Sequence, residues 1–107
     1  MNALIVEDDH FYATQLCELL GDNGMHAVVA PTVEDALNRP LDTYNVMVVD
    51  VMLPNNPEHS GISAESSRSG FFSGIALCRE IRRRGLTTPL LLLSGATSLP
   101  MWCWIRS

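Results

Sequence analysis

Lysine is absent from this 107-residue sequence, and its seven basic residues are all arginine. Twelve acidic residues bring the formal net charge to −5. A chain this acidic, with no basic stripe, is poorly suited to bind nucleic acid directly or to attach electrostatically to an anionic membrane. We therefore expect no nucleic acid and no membrane among its direct partners.

Long hydrophobic runs and paired cysteines are also missing. No stretch approaches the ~20 apolar residues that a transmembrane helix needs, and the N-terminus lacks the basic start and apolar run of a secretory signal. The three cysteines, at positions 17, 78 and 103, are odd in number and form no CxxC pair, so they indicate no metal site. These absences favour a cytoplasmic location.

Four short apolar runs alternate with segments of helical spacing. The runs cover residues 2–6, 25–30, 44–49 and 90–93. The segments between them predict a helix after Asp9, a short helix capped by Thr32, and a helix over about 71–84 that Gly85 ends. Such alternation implies parallel strands joined by right-handed helical crossovers. We predict an α/β domain with an open, doubly wound sheet.

Polar residues stand where these predicted strands end. Glu7, Asp8 and Asp9 follow the first strand, Asp50 follows the third, and Ser94 follows the fourth. Ligands of open parallel sheets bind at the carboxyl ends of the strands. If the first and third strands are neighbours, as in the flavodoxin-like order, Asp8 and Asp50 meet in one pocket.

Carboxylates crowded in one pocket repel each other, and a divalent cation relieves that repulsion. Hard oxygen ligands with open positions suit Mg²⁺. An aspartate beside such a metal can act as a nucleophile towards phosphorus, while the metal neutralises the transferring group. Ser94 is placed to donate a hydrogen bond to a phosphoryl oxygen and so to move its loop.

Three segments resemble the signatures of a bacterial response-regulator receiver domain. They are Leu-Ile-Val-Glu-Asp-Asp at 4–9, Val-Val-Asp-Val-Met-Leu-Pro at 48–54 and Leu-Leu-Leu-Ser-Gly-Ala at 91–96, in the order that the family has. The resemblance covers the chain to about residue 98. It implies a phospho-acceptor domain of a two-component phosphorelay, which takes its phosphoryl group from a sensor histidine kinase or a phosphotransfer protein. Such a domain is not an enzyme beyond catalysing its own phosphoryl uptake.

The resemblance also assigns roles to residues. Asp50 matches the phospho-acceptor, and Ser94 matches the switch hydroxyl. Asp8, Asp50 and the backbone carbonyl of Met52 match the Mg²⁺ ligands, with Glu7 acting through water. Asp9 falls just past the acidic pair, and we assign it to the start of the first helix.

The sequence departs from the family pattern at its C-terminal end. Receivers carry a Lys at the end of a fifth strand, and here only Arg106 offers a substitute cation. The residues after Ser98 are too few for the usual fourth helix, fifth strand and fifth helix. We therefore predict a receiver domain over residues 1–98 that lacks the usual last strand and helix, with a long polar loop at 55–70 and an apolar tail at 99–107.

Losing the last strand would leave the fourth strand as an exposed apolar edge, which invites pairing with another chain. We expect the tail either to fold back over that edge or to join a homodimer through it.

Other functions remain open at this point. The lost lysine, the altered tail and the long loop favour a degenerate receiver that binds partners or dimerises without phosphorylation. A phosphatase of the haloacid-dehalogenase type needs a second Asp two residues after its nucleophile, where Met52 stands. A flavin mononucleotide carrier is disfavoured because three carboxylates follow the first strand and would repel the phosphate.

Overall fold

Five strands form one mixed sheet in the computed structural model, which describes residues 1–51, 73–94 and 101–105. The strands are β1 (Asn2–Val6), β2 (His26–Ala30), β3 (Val46–Asp50), β4 (Leu90–Ser94) and β5 (Met101–Ile105). Their order is β2-β1-β3-β4-β5, and β1 to β4 run parallel. The predicted doubly wound α/β sheet is confirmed, and β1 lies beside β3.

Helices connect the parallel strands, and the first two of them begin where the sequence predicts. They are α1 (His10–Asp22), α2 (Val33–Leu37) and α3 (Ser73–Arg83), with a 3-10 helix at Leu41–Thr43. The Tyr12 amide donates to the Asp9 carboxylate at 3.1 Å, and the Asp35 amide donates to the Thr32 hydroxyl at 3.1 Å. Each bond satisfies an amide that the first helical turn leaves without a partner. The predicted caps of α1 and α2 are therefore confirmed.

Glycine ends α3 because the chain turns there into the left-handed region. Gly85 has φ +84°, a conformation that glycine adopts without the steric cost of a Cβ. The predicted end of this helix is confirmed, whereas its first two predicted residues, 71 and 72, lie outside the described part of the chain.

The sheet is covered on both faces, so β1 is buried on both sides. Leu4 and Val6 of β1 face a core that α2 and α3 complete, whereas Ile5 faces a second core against Ala13 and Leu16 of α1. Successive side chains of a strand point to opposite faces of the sheet. A strand that is buried on both faces, such as β1, therefore consists of consecutive apolar residues. The helices therefore cover both faces of the sheet, and the polar side chains lie at the edge formed by the C-terminal ends of the parallel strands.

The apolar tail forms β5, which is antiparallel to β4 along its whole length, from Leu90 opposite Ile105 to Ser94 opposite Met101. β5 therefore occupies the edge of β4 that would otherwise be exposed. Of the two expected outcomes for the tail, the structure shows folding back within the same chain. The fifth strand runs opposite to the four parallel strands, and the loop at 55–70 lies outside the described residues.

Among the helices that the structure describes, none is both long and apolar enough to cross a membrane.

Candidate functional site

The register of β1 and β3 brings three carboxylates together. Val6 is the Cα partner of Val49, so Glu7 and Asp50 lie side by side just beyond that pair. Asp8 follows at the same edge of the sheet. One carboxylate oxygen from each of Glu7, Asp8 and Asp50 lies within 4.8 Å of the others. The structure therefore gathers the three acidic residues that the sequence proposed for one pocket.

The three carboxylates differ in exposure. Glu7 is 6% exposed and Asp50 is 8% exposed, whereas Asp8 is open to solvent. The pKa of the Glu7 carboxyl is raised to about 8, mainly by burial. The hydrogen bond from the Asp9 backbone opposes this rise, and the nearby charge of Asp50 contributes to it. A raised pKa means that the charged form of Glu7 lacks sufficient compensating positive charge in this pocket. The cluster therefore has the electrostatic character of a cation site.

Glu7 and Asp9, which both follow β1, have different structural roles. The Glu7 amide donates to the Ala30 carbonyl at 3.2 Å, which continues the β1–β2 ladder and turns the Glu7 side chain inward. The Asp9 amide donates to the Glu7 carboxylate at 3.0 Å. Asp9 itself caps α1 and takes no part in the cluster. The prediction that Asp9 belongs to the helix start is confirmed.

Backbone hydrogen bonds hold the residue after Asp50 from two sides. The Val51 amide donates to the Leu93 carbonyl at 3.0 Å, and the Gly74 amide donates to the Val51 carbonyl at 2.9 Å. The end of β4, the end of β3 and the start of α3 are therefore joined at one point. Because these are backbone bonds, they position Asp50 without depending on the identity of neighbouring side chains.

Gly74 is a site-supporting residue that the sequence reasoning missed. A Cβ at this position would overlap the carbonyl oxygen of Asp50. Only glycine lets the first turn of α3 lie this close to the end of β3. A signal existed in the sequence, since Ser73-Gly74 opens a helical pattern in which glycine is otherwise unfavourable.

Tyr12 is a second residue near the cluster that the sequence analysis did not single out. Burial raises the pKa of its phenol, and the charges of Glu7 and Asp50 raise it further. Tyr12 also packs against the core formed by Ile5 and Leu16. Tyr12 therefore lies between the α1 core and the acidic cluster.

The remaining predicted site residues differ in how much the structure describes. Ser94 is the last residue of β4, one position beyond Leu93, and Leu93 is the Cα partner of Asp50. Its backbone therefore stands at the same edge of the sheet as the cluster. Met52 and Arg106 lie outside the described residues. The roles of Ser94 and Met52 stay predictions.

The donor set of the cluster suits a hard divalent cation. Carboxylate oxygens are ligands that Mg²⁺ and Ca²⁺ share, and Mg²⁺ is usually held by one or two carboxylates together with water. Exposed Asp8 leaves an open side at which water or a phosphate oxygen can complete the coordination. The raised pKa of Glu7 fits the same interpretation, because a cation would favour its charged form.

Comparison with known proteins identifies the fold. No protein-family model matches the sequence, and no curated protein matches it. Among solved structures, the Francisella response regulator 1452 receiver domain is 26% identical, with a TM-score of 0.67, and the match covers 91% of this chain and 68% of that one. The non-phosphorylated HemR receiver domain of Leptospira biflexa is 25% identical, with a TM-score of 0.65, over 92% and 67% of the two chains.

A third similar structure is the BeF₃-activated N-terminal receiver domain of Klebsiella pneumoniae RstA. It is 25% identical, with a TM-score of 0.65, and the match covers 92% of this chain and 70% of that one. The chain has the fold of response-regulator receiver domains.

Proposed function

We propose that the chain is a phospho-acceptor receiver domain of a two-component system, phosphorylated on Asp50 with the help of Mg²⁺. The observation that carries the proposal is the meeting of Glu7, Asp8 and Asp50 within 4.8 Å at the carboxyl edge of the sheet. The similar receiver structures support the same function. The donor would be a sensor histidine kinase or a phosphotransfer protein, and the domain would act in the cytoplasm.

The proposed reaction moves one phosphoryl group. A carboxylate oxygen of Asp50 attacks the phosphorus, an oxygen–phosphorus bond forms, and the nitrogen–phosphorus bond of the phosphohistidine donor breaks. The released imidazole takes up a proton. Mg²⁺, held by Asp8, Asp50 and the Met52 carbonyl with Glu7 acting through water, would supply neutralisation of the phosphoryl oxygens.

The buried position of Asp50 contributes to this chemistry. A carboxylate that is 8% exposed has lost much of its hydration, and its position is fixed by the backbone bonds at Val51. Fixed position reduces the entropy lost on reaching the transition state. Ser94, at the end of the neighbouring strand, would donate to a phosphoryl oxygen and move the chain that follows it.

Intact-mass spectrometry tests the proposal directly. The protein is incubated with Mg²⁺ and acetyl phosphate or phosphoramidate, and a single phosphoryl adduct is expected. Asp50→Asn should abolish the adduct, whereas the matched variant Asp9→Asn should keep it, because Asp9 caps α1 outside the cluster. Absence of the adduct in folded, Mg²⁺-binding wild type would refute phosphoryl uptake.

A degenerate receiver that works without phosphorylation is the second candidate function. One specific observation favours it, namely that the sequence contains no lysine, the residue type that supplies the phosphoryl-binding ammonium group in the resembled family. In that case Mg²⁺ would still bind at Asp8 and Asp50 without phosphoryl uptake. The same mass measurement, joined to a Mg²⁺ titration, separates the two functions.

A further inference from the structure

β5 is an edge strand of the sheet. β5 is last in the order β2-β1-β3-β4-β5, so one of its edges pairs with β4 and the other faces away from the sheet. None of the strands that the structure describes pairs with this outer edge. Alternate backbone N–H and C=O groups of an edge strand point outward and can pair with another strand.

Edge strands usually carry features that discourage pairing, and β5 has none of these in its sequence. Met-Trp-Cys-Trp-Ile contains no charged residue and no proline, the two devices that most often protect an edge. The uncharged stretch is longer than the strand, because residues 85–105 include no Asp, Glu, Arg or His. A second copy would therefore bring no like charge to this edge, despite the net charge of −5.

The order of residues in β5 is nearly symmetric about Cys103. Two copies related by a two-fold axis pair their β5 strands antiparallel, so that residue i faces j and j faces i. Full overlap places Cys103 opposite Cys103 of the second copy and Trp102 opposite Trp104. Met101 then faces Ile105. Cross-strand aromatic and aliphatic pairs of this kind stabilise antiparallel sheets.

We propose that two copies of the chain associate through antiparallel pairing of their β5 strands, which joins two five-stranded sheets into one. The symmetry of the strand selects a second copy as the partner, since a two-fold arrangement matches every residue with one of similar character. β2, at the opposite edge of the sheet, reads His-Ala-Val-Val-Ala and lacks this symmetry. The proposal is independent of whether Asp50 accepts a phosphoryl group.

Sedimentation equilibrium of the full chain tests the association. Wild type should show a reversible monomer–dimer equilibrium with a micromolar dissociation constant, because a single strand pair makes a small interface. Cys103→Lys sets two like charges opposite each other and should raise the dissociation constant at least about tenfold. His26→Lys, at an exposed position of the opposite edge strand, should leave it unchanged. Wild type that stays monomeric up to millimolar concentration would overturn the proposal.

Oxidative cross-linking provides a test that leaves the charge of β5 unaltered. Opposite residues of an antiparallel pair have Cα atoms about 4.5–5.5 Å apart, within the range that a disulfide bridges. Treatment with diamide should therefore yield a covalent dimer from wild type and from Cys17→Ser, but not from Cys103→Ser. Cys78 is 1% exposed, and burial raises the pKa of its thiol to about 12, so it should not react. A dimer that persists in Cys103→Ser and disappears in Cys17→Ser would overturn the proposed interface.

Discussion

Replacing Gly74 with alanine should destabilise the fold and disturb the acidic site, because Gly74 is where α3 rests on the end of β3. The added Cβ would overlap the Asp50 carbonyl oxygen, and it would lie 2.8 Å from the Asp50 carbonyl carbon and 2.8 Å from the Val51 Cα. All three are backbone atoms, so no change of rotamer relieves the overlap. The start of α3 must move away, or the end of β3 must shift.

Two opposing terms set the size of the effect. Alanine in a helix is intrinsically preferred over glycine by about 1 kcal/mol. Overpacking costs about 1–3 kcal/mol, and we take the upper end because backbone rather than side-chain atoms must move. The free energy of unfolding should therefore fall by about 2 kcal/mol, which lowers the melting temperature by about 10 °C in a domain of this size.

Gly21 provides the matched control, since it also lies in a helix. A Cβ added at Gly21 would meet nothing within 4 Å. Gly21→Ala should therefore show only the intrinsic preference and stabilise the protein by up to about 1 kcal/mol. The two substitutions are chemically identical and are expected to change stability in opposite directions.

Urea unfolding followed by far-UV circular dichroism measures both variants. An unchanged m-value would show that the two variants unfold from equally compact states, so that the midpoints report stability. A Mg²⁺ titration of folded Gly74→Ala should also show weaker binding than wild type, because Asp50 is displaced. If Gly74→Ala is as stable as wild type, α3 does not approach Asp50 as the structure shows, and the reasoning fails.

Three further predictions concern the acidic cluster and a helix cap. In metal-free protein the free energy of unfolding should fall by about 4 kcal/mol as pH rises from about 4.5 through 8, because the folded state holds the Glu7 proton more tightly than the unfolded chain. Urea unfolding in EDTA should show this pH dependence of the free energy of unfolding in wild type. The same pH dependence in Glu7→Gln would exclude Glu7 as its source. In thermal melts, Mg²⁺ should stabilise wild type and Asp9→Asn but not Asp8→Asn, and equal stabilisation of all three would contradict the site. Thr32→Ala should lose about 1 kcal/mol in urea unfolding, whereas Thr32→Ser should keep most of it, since a hydroxyl is needed to cap α2.

Local sequence patterns predicted the four parallel strands and their helices, because the secondary structure that each segment favours locally is also the one that the folded chain adopts. Each of β1 to β4 forms from a mostly apolar run, and its observed bounds lie within two residues of the predicted run. Asp9 and Thr32 cap helices through bonds to residues three positions away, which a sequence pattern can register. The strand order followed from a family resemblance and not from the pattern alone.

Features that depend on distant segments were not predictable in the same way. An apolar tail with two tryptophans is compatible with a loop, a dimer contact or a strand, and only the free edge of β4 selects the antiparallel strand that forms. Gly74 likewise matters through its distance from Asp50, 24 positions earlier in the sequence. The raised pKa of Glu7 depends on burial and on Asp50, and neither is visible in the order Glu-Asp-Asp.

The backbone hydrogen bonds that position Asp50 are distinct from the side chains that would act on a phosphoryl group. These backbone bonds run from the Val51 amide to Leu93 and from the Gly74 amide to Val51. Most side-chain substitutions, apart from those at Gly74, leave them intact. The chemistry needs particular side chains, and the lysine of the resembled family is absent from the sequence. A chain can therefore keep the geometry of a receiver while its phosphoryl chemistry changes. Phosphoryl uptake and its dependence on Asp50 consequently decide the function, whereas a further match of fold would not.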